Sequence, residues 1–102
     1  MHSEELNKLV CDSLDELKGV DIISLDVRDQ TDLTDYMVIA TGRSDRQVKA
    51  LAQHLIEQAK AHGVQPMGVE GLDRAEWVLV DLCDVVVHVM QRETREFYQL
   101  EK

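Results

Sequence analysis

A chain of 102 residues, 44% hydrophobic and 30% charged, is long enough for one core and too short for two. Twenty Asp+Glu against eleven Lys+Arg leave a formal charge of −9, a poor footprint for direct nucleic-acid binding, which depends on clustered cations. The acidity suits a basic protein partner, whose opposite field speeds encounter, and it suits equally a surface that only keeps the chain in solution.

Ser3 is positioned to cap a first helix, with Glu4 and Glu5 in the first turn, where carboxylates favour the positive end of the helix dipole. Leu6, Leu9, Val10, Leu14 and Leu17 form its apolar stripe, and Gly19 suits the stop. Residues 22–27 read as a strand and Arg28 to Asp35 as a polar loop. Tyr36-Met37-Val38-Ile39-Ala40-Thr41 reads as a second strand, apolar enough to be buried on both faces. A second helix opens at Ser44, whose spacing from Gln47 is that of a capping box. Val48, Leu51, Ala52, Leu55, Ile56 and Ala59 recur at helical spacing as a core-facing stripe, and Gly63 ends the helix.

Gln65 to Glu70 is a short third strand containing the only Pro. Two apolar runs, from Ala75 to Asp81 and from Asp84 to Met90, then read as a β-hairpin, and a short amphipathic helix around Arg95–Glu101 closes the chain. The order α-β-β-α-β-β-β-α predicts an α/β single domain over residues 1–102: a mixed five-stranded sheet with flanking helices, and a parallel strand pair around the second helix.

Cys11 and Cys83 have no metal-like spacing and fit a reducing compartment. With no signal peptide, transit segment or long apolar run in sight, a cytoplasmic location and no membrane partner are expected.

Few residues point to chemistry. Thr41-Gly42-Arg43-Ser44 lies between a strand and a helix start, where backbone N–H groups can hold an anion, but it lacks the further glycines or Lys of a phosphate loop. Asp81 and Asp84, three apart across a turn, read as turn formers before they read as metal ligands. His88 alternates with valines, the pattern of a hydrogen-bonded sheet-face residue, and no nucleophile–base pairing emerges. No catalytic residue, cofactor or metal is assigned.

What remains is surface. Trp77, Leu79 and Asp81 share one strand face, and Val78, Val80 and Leu82 share the other. Val85, Val87 and Val89 make the better core face, which leaves Trp77 and Met90 on the opposite one. Leu82 falls at the turn, where burial is difficult. Trp77, Leu82 and Met90, rimmed by Glu76 and Asp81, read as a protein-docking patch, or as core beneath the first or third helix.

Several segments closely resemble the ribosomal silencing factor family, also called iojap-like. They are Thr34-Asp35-Tyr36-Met37-Val38-Ile39-Ala40-Thr41-Gly42-x-Ser44, Glu70-Gly71, Trp77-Val78-Leu79-Val80-Asp81, Val85-Val86-Val87-His88-Val89 and Arg95-x-x-Tyr98-x-Leu100-Glu101. The resemblance spans about residues 3–102 in order and spacing. It implies a nucleotidyltransferase-like fold without that activity. It also implies translational repression when nutrients are scarce: the protein binds the large ribosomal subunit through a basic protein of its inter-subunit face, the fourteenth of that subunit, and blocks subunit joining. Carried onto this chain, it names Trp77, Leu82 and Met90 as apolar anchors and Glu70, Asp81 and Tyr98 as polar or rim contacts. A homodimer in the free state, pairing the same patch with itself, is a further expectation. The alternative function is a small nucleotidyltransferase-like, nucleotide-binding enzyme using Gly42-Arg43-Ser44 and nearby carboxylates. Two departures stand out. Cys83 occupies a position where relatives commonly have Gly, and the sequence ends at Glu101-Lys102 where relatives usually continue with an apolar-aromatic tail.

Overall fold

The computed structural model describes residues 1–101, so the end of the chain at Lys102 lies outside the described residues. Helix α1 (Ser3–Glu16) starts one residue earlier than the capping signal suggested. The His2 carbonyl accepts the first helical bond, from the Leu6 N–H, and the Glu5 carboxylate accepts the His2 N–H at 3.3 Å. Leu6, Val10 and Leu14 are buried as the stripe requires. Leu17 is not: it sits at the C-cap, past the last turn that faces the core, and is exposed.

Strand β1 (Val20–Asp26) pairs antiparallel with β2 (Tyr36–Gly42), with a register shift between Val20 and Ile23 where Asp21 adopts φ +49°. Such an irregularity bends a strand and increases its local twist. Helix α2 (Asp45–Ala61) has the predicted cap, Ser44 Oγ accepting the Gln47 N–H at 3.1 Å. The return bond goes one residue further out, to the Arg43 N–H, and the Gln47 amide also donates to the Leu17 and Lys18 carbonyls. One side chain thus ties the start of α2 to the end of α1. At the other end Gly63 takes φ +81°, while the Val64 N–H bonds Ala59 and the Gly63 N–H bonds Lys60, the pairing of a Schellman stop.

Strands β3 (Gly68–Glu70), β4 (Trp77–Asp81) and β5 (Val85–Gln91) complete a sheet ordered β1-β2-β5-β4-β3. Strand β3 is shorter than expected, and Gln65 to Met67 lie before it. The two strands flanking α2 run in the same direction but do not touch. The parallel neighbour of β2 is β5, and β4 stands between β5 and β3, antiparallel to both. The β4–β5 hairpin therefore slots into the sheet between β2 and β3. Helix α3 (Arg92–Tyr98) follows β5 without a loop, begins earlier than Arg95, and ends where Gln99 turns left-handed at φ +50°.

The two faces of this sheet are treated differently. Tyr36, Val38 and Ala40 alternate toward the same side as Val78, Val80, Val85, Val87 and Val89. There they meet Val48, Leu51, Ala52, Leu55 and Ala59 of α2 and Leu6, Val10 and Leu14 of α1 in one core. Among the described residues, the other face carries only α3, packed over the ends of β5 and β2.

Candidate functional site: the open face of the sheet

Alternation dictates which side chains reach the open face. The strand registers set Ile23 and Leu25 of β1 beside Ile39 and Met37 of β2. These neighbour His88 and Val86 of β5, and then Leu79 and Asp81 of β4. Ile39 is buried, whereas Ile23, Leu25, Met37, Leu79, Val86 and His88 are half-buried. The result is a broad, mostly aliphatic surface in a chain carrying −9. Contiguous apolar exposure of this kind marks an interaction surface.

Trp77 stands at the start of β4, at the end of this face nearest α3. Its indole N–H donates to His88 Nδ1 at 2.9 Å, and its ring lies 4.8 Å from that of Tyr98, centroid to centroid. Phe97 meets Tyr98 edge-on at 5.0 Å and is itself 80% exposed. A four-ring cluster is thus built from β4, β5 and α3 at the rim of the open face. Burial pushes the His88 pKa below its ordinary value, which keeps the ring neutral near pH 7.

Two of the anticipated anchors are buried, Met90 as the alternative of a covering third helix has it and Leu82 against the expectation that its turn position makes burial difficult. Met90 is not exposed: it lies opposite Trp77 in the β4–β5 register and is fully buried, because α3 folds back over this end of the sheet. It supports Trp77 from within. Leu82 is buried too, at 3% exposure, because it continues the Val78–Val80 alternation past the strand end into the helix-covered core. Of the remaining four residues, Tyr98 touches Trp77. Glu70 and Asp81 line a shallow groove of about 370 Å³ with Gly68, Val69 and Leu79. So Trp77, Met90 and Tyr98 come together at one end, Glu70 and Asp81 border the β3–β4 side, and Leu82 points away.

Sequence reasoning missed Arg95, the one buried cation among the described residues. Its Nη1 donates to the Asp21 carbonyl at 2.7 Å and to Thr41 Oγ1 at 2.8 Å, and its Nε pairs with Glu101 at 3.1 Å. This binds α3 to the irregular start of β1 and the end of β2, and so holds Tyr98 over Trp77. The signal was faint: an Arg on a short helix reads as solvated unless its partners, far away in sequence, are known.

The residues proposed for nucleotide chemistry are otherwise occupied. A Cβ on Gly42 would lie 2.6 Å from Val48 Cγ2 and 2.9 Å from Val48 N, so this glycine serves the close approach of α2. The Arg43 and Gln47 N–H groups, which an anion would need, are taken by the capping pair. Asp81 Oδ1 accepts the Cys83 N–H at 2.8 Å, the turn-forming role its sequence context suggested. Among the described residues no group of three or more His, Cys, Asp and Glu is placed to hold a metal ion. No helix among them is long and apolar enough to cross a membrane.

The family model described as "Ribosomal silencing factor during starvation" matches residues 1–102. The chain is 48% identical over 97 residues to "Ribosomal silencing factor RsfS" of Haemophilus influenzae, covering 95% of each chain. It is similar to a solved structure from Chromobacterium violaceum at a TM-score of 0.97 and 48% identity, covering 99% of this chain and 84% of that one. A more distant mouse relative, "Mitochondrial assembly of ribosomal large subunit protein 1", is 36% identical over 85 residues, 80% of this chain and 37% of its own length. With a family match along its whole length and relatives of this similarity, the chain belongs to the ribosomal silencing factor family.

Proposed function

We propose that this protein represses translation by seating the open face of its sheet on a basic protein of the large ribosomal subunit, the fourteenth of that subunit, at the inter-subunit surface. The bound body occupies the space the small subunit needs, so joining is blocked by occlusion and requires no chemistry. The observation that carries this reading is the half-exposed aliphatic face with Trp77 locked at its rim. Membership of a family described by silencing during starvation supports it, as does a mouse relative named for the large subunit. In this reading Trp77 and Tyr98 make contact, Glu70 and Asp81 meet the partner's cations, and Met90 and Leu82 support the strands from beneath. The protein acts where ribosomes assemble, in the cytoplasm. When free, it pairs the same face with a second copy, so that dimerisation and ribosome binding compete.

Co-sedimentation with isolated large and small subunits tests the first part. Wild type should travel with the large subunit alone, and Trp77→Ala should do so far more weakly. Binding to neither subunit, or unchanged binding by the variant, would overturn the reading. Light scattering that finds only monomer at high concentration would remove the dimer.

A further inference from the structure

The bond between Trp77 and His88 crosses the middle of the rim cluster, and its chemistry fixes more than its geometry. An indole N–H only donates. His88 Nδ1, 2.9 Å away, must therefore be a bare acceptor, and the ring's single proton must sit on Nε2. We propose that His88 is the positioning residue of the docking face: its Nδ1 lone pair holds the Trp77 ring in place, and the face is set for a partner only while the imidazole is neutral. The proposal rests on the reading of Trp77 as an anchor and adds a control to it.

Protonation gives Nδ1 its own hydrogen. Two donors then oppose each other, the bond is lost, and a cation appears in the middle of the aliphatic surface. The groups that could offset that cost are few. Strand β4 offers Asp81 on the same face, but its carboxylate is turned to the Cys83 N–H. Strand β3 offers Glu70, opposite Leu79 and one strand beyond it. Helix α3 brings Tyr98 against the indole, while its Arg95 is paired with Glu101 behind Thr41. At the α3 end, Asp21 of β1 lines a pocket with Ile23, Arg92, Arg95 and Glu96, a set in which both signs of charge are present, while β2 turns Met37, Ile39 and Thr41, none of them titratable, to this face. Burial accordingly dominates and lowers the His88 pKa. The sign follows: the Trp77 lock is complete above the ordinary histidine pKa of about 6.5 and is lost as pH falls through the lowered value.

Trp77 is the only tryptophan, so its signals report this bond without any partner. The test follows the Trp77 indole N–H resonance and fluorescence of the full chain from pH 8 to 4.5, with large-subunit binding measured in parallel at pH 7.5. In wild type both signals should follow one proton with a midpoint below about 6.5. His88→Asn keeps an acceptor near the Nδ1 position but cannot titrate. It should flatten the profile and recover most of the binding. His88→Phe, checked for folding by circular dichroism, removes the acceptor and should weaken binding roughly tenfold. An indole signal that titrates identically in His88→Asn, or wild-type binding in His88→Phe, would overturn the positioning role while leaving Trp77 as an anchor. Wild-type binding by Trp77→Ala would instead remove the anchor itself, whatever the spectra show.

Discussion

The two faces of the sheet are made from the same strands by the same alternation, yet one is finished and the other is not. On the helix side, Val38, Val80, Val87 and Leu51 are all sealed from solvent. On the other, Met37, Leu79 and Val86 remain half-open beside Trp77. Folding stability comes mainly from the first face, since each aliphatic side chain buried there contributes about 1.5–3 kcal/mol. The second face keeps comparable side chains available to another molecule. In the proposed function, the difference separates residues that make the protein from residues that would bind its partner.

That separation can be broken by substitution. The largest effect belongs to the sealed face: Leu51→Ala should lower unfolding stability by about 3–4 kcal/mol in denaturant titration, through lost transfer energy plus a cavity. Met90→Ala, on the open side but buried under α3, should cost about 2–3 kcal/mol of stability and weaken subunit binding as well, because Trp77 loses its floor. Trp77→Ala should invert the pattern. Stability should change by only about 1 kcal/mol, while binding falls by about 2 kcal/mol or more, roughly thirtyfold, in co-sedimentation. A Trp77→Ala protein that melts like Leu51→Ala would erase the distinction between the faces. The smallest effect is local: Cys83 sits at φ +74° in the hairpin turn, so Cys83→Gly should raise stability by about 0.5–1 kcal/mol and leave binding unchanged.

Local signals in the sequence foretold local structure. The Ser44–Gln47 spacing and the stripe from Val48 to Ala59 announced α2, and the alternation after Trp77 announced the hairpin and its valine core face. Long-range pairing was not legible. No residue pattern in β2 says that its parallel neighbour is β5, because apolar strands buried on one or both faces are interchangeable by periodicity. Periodicity leaves Met90 open between docking patch and core beneath a helix for the same reason: its cover, α3, is held by Arg95 bonds to Thr41 and Asp21, contacts with no trace in local sequence. Leu82 was misread because a turn position does not reveal whether the chain dips inward. Trp77 and Tyr98 were each singled out, but that they touch emerged only from the fold.

The borders of the sheet carry a consequence of their own. Strand β3 is only three residues long, and β1 is interrupted between Val20 and Ile23. Short or irregular borders deny a neighbouring chain the ladder of hydrogen bonds from which fibrils grow. An exposed aliphatic plate is ordinarily a hazard in a crowded solution. Here its borders disfavour sideways extension, so the flat-on association proposed for this face would end in a finite complex and not in an open-ended polymer.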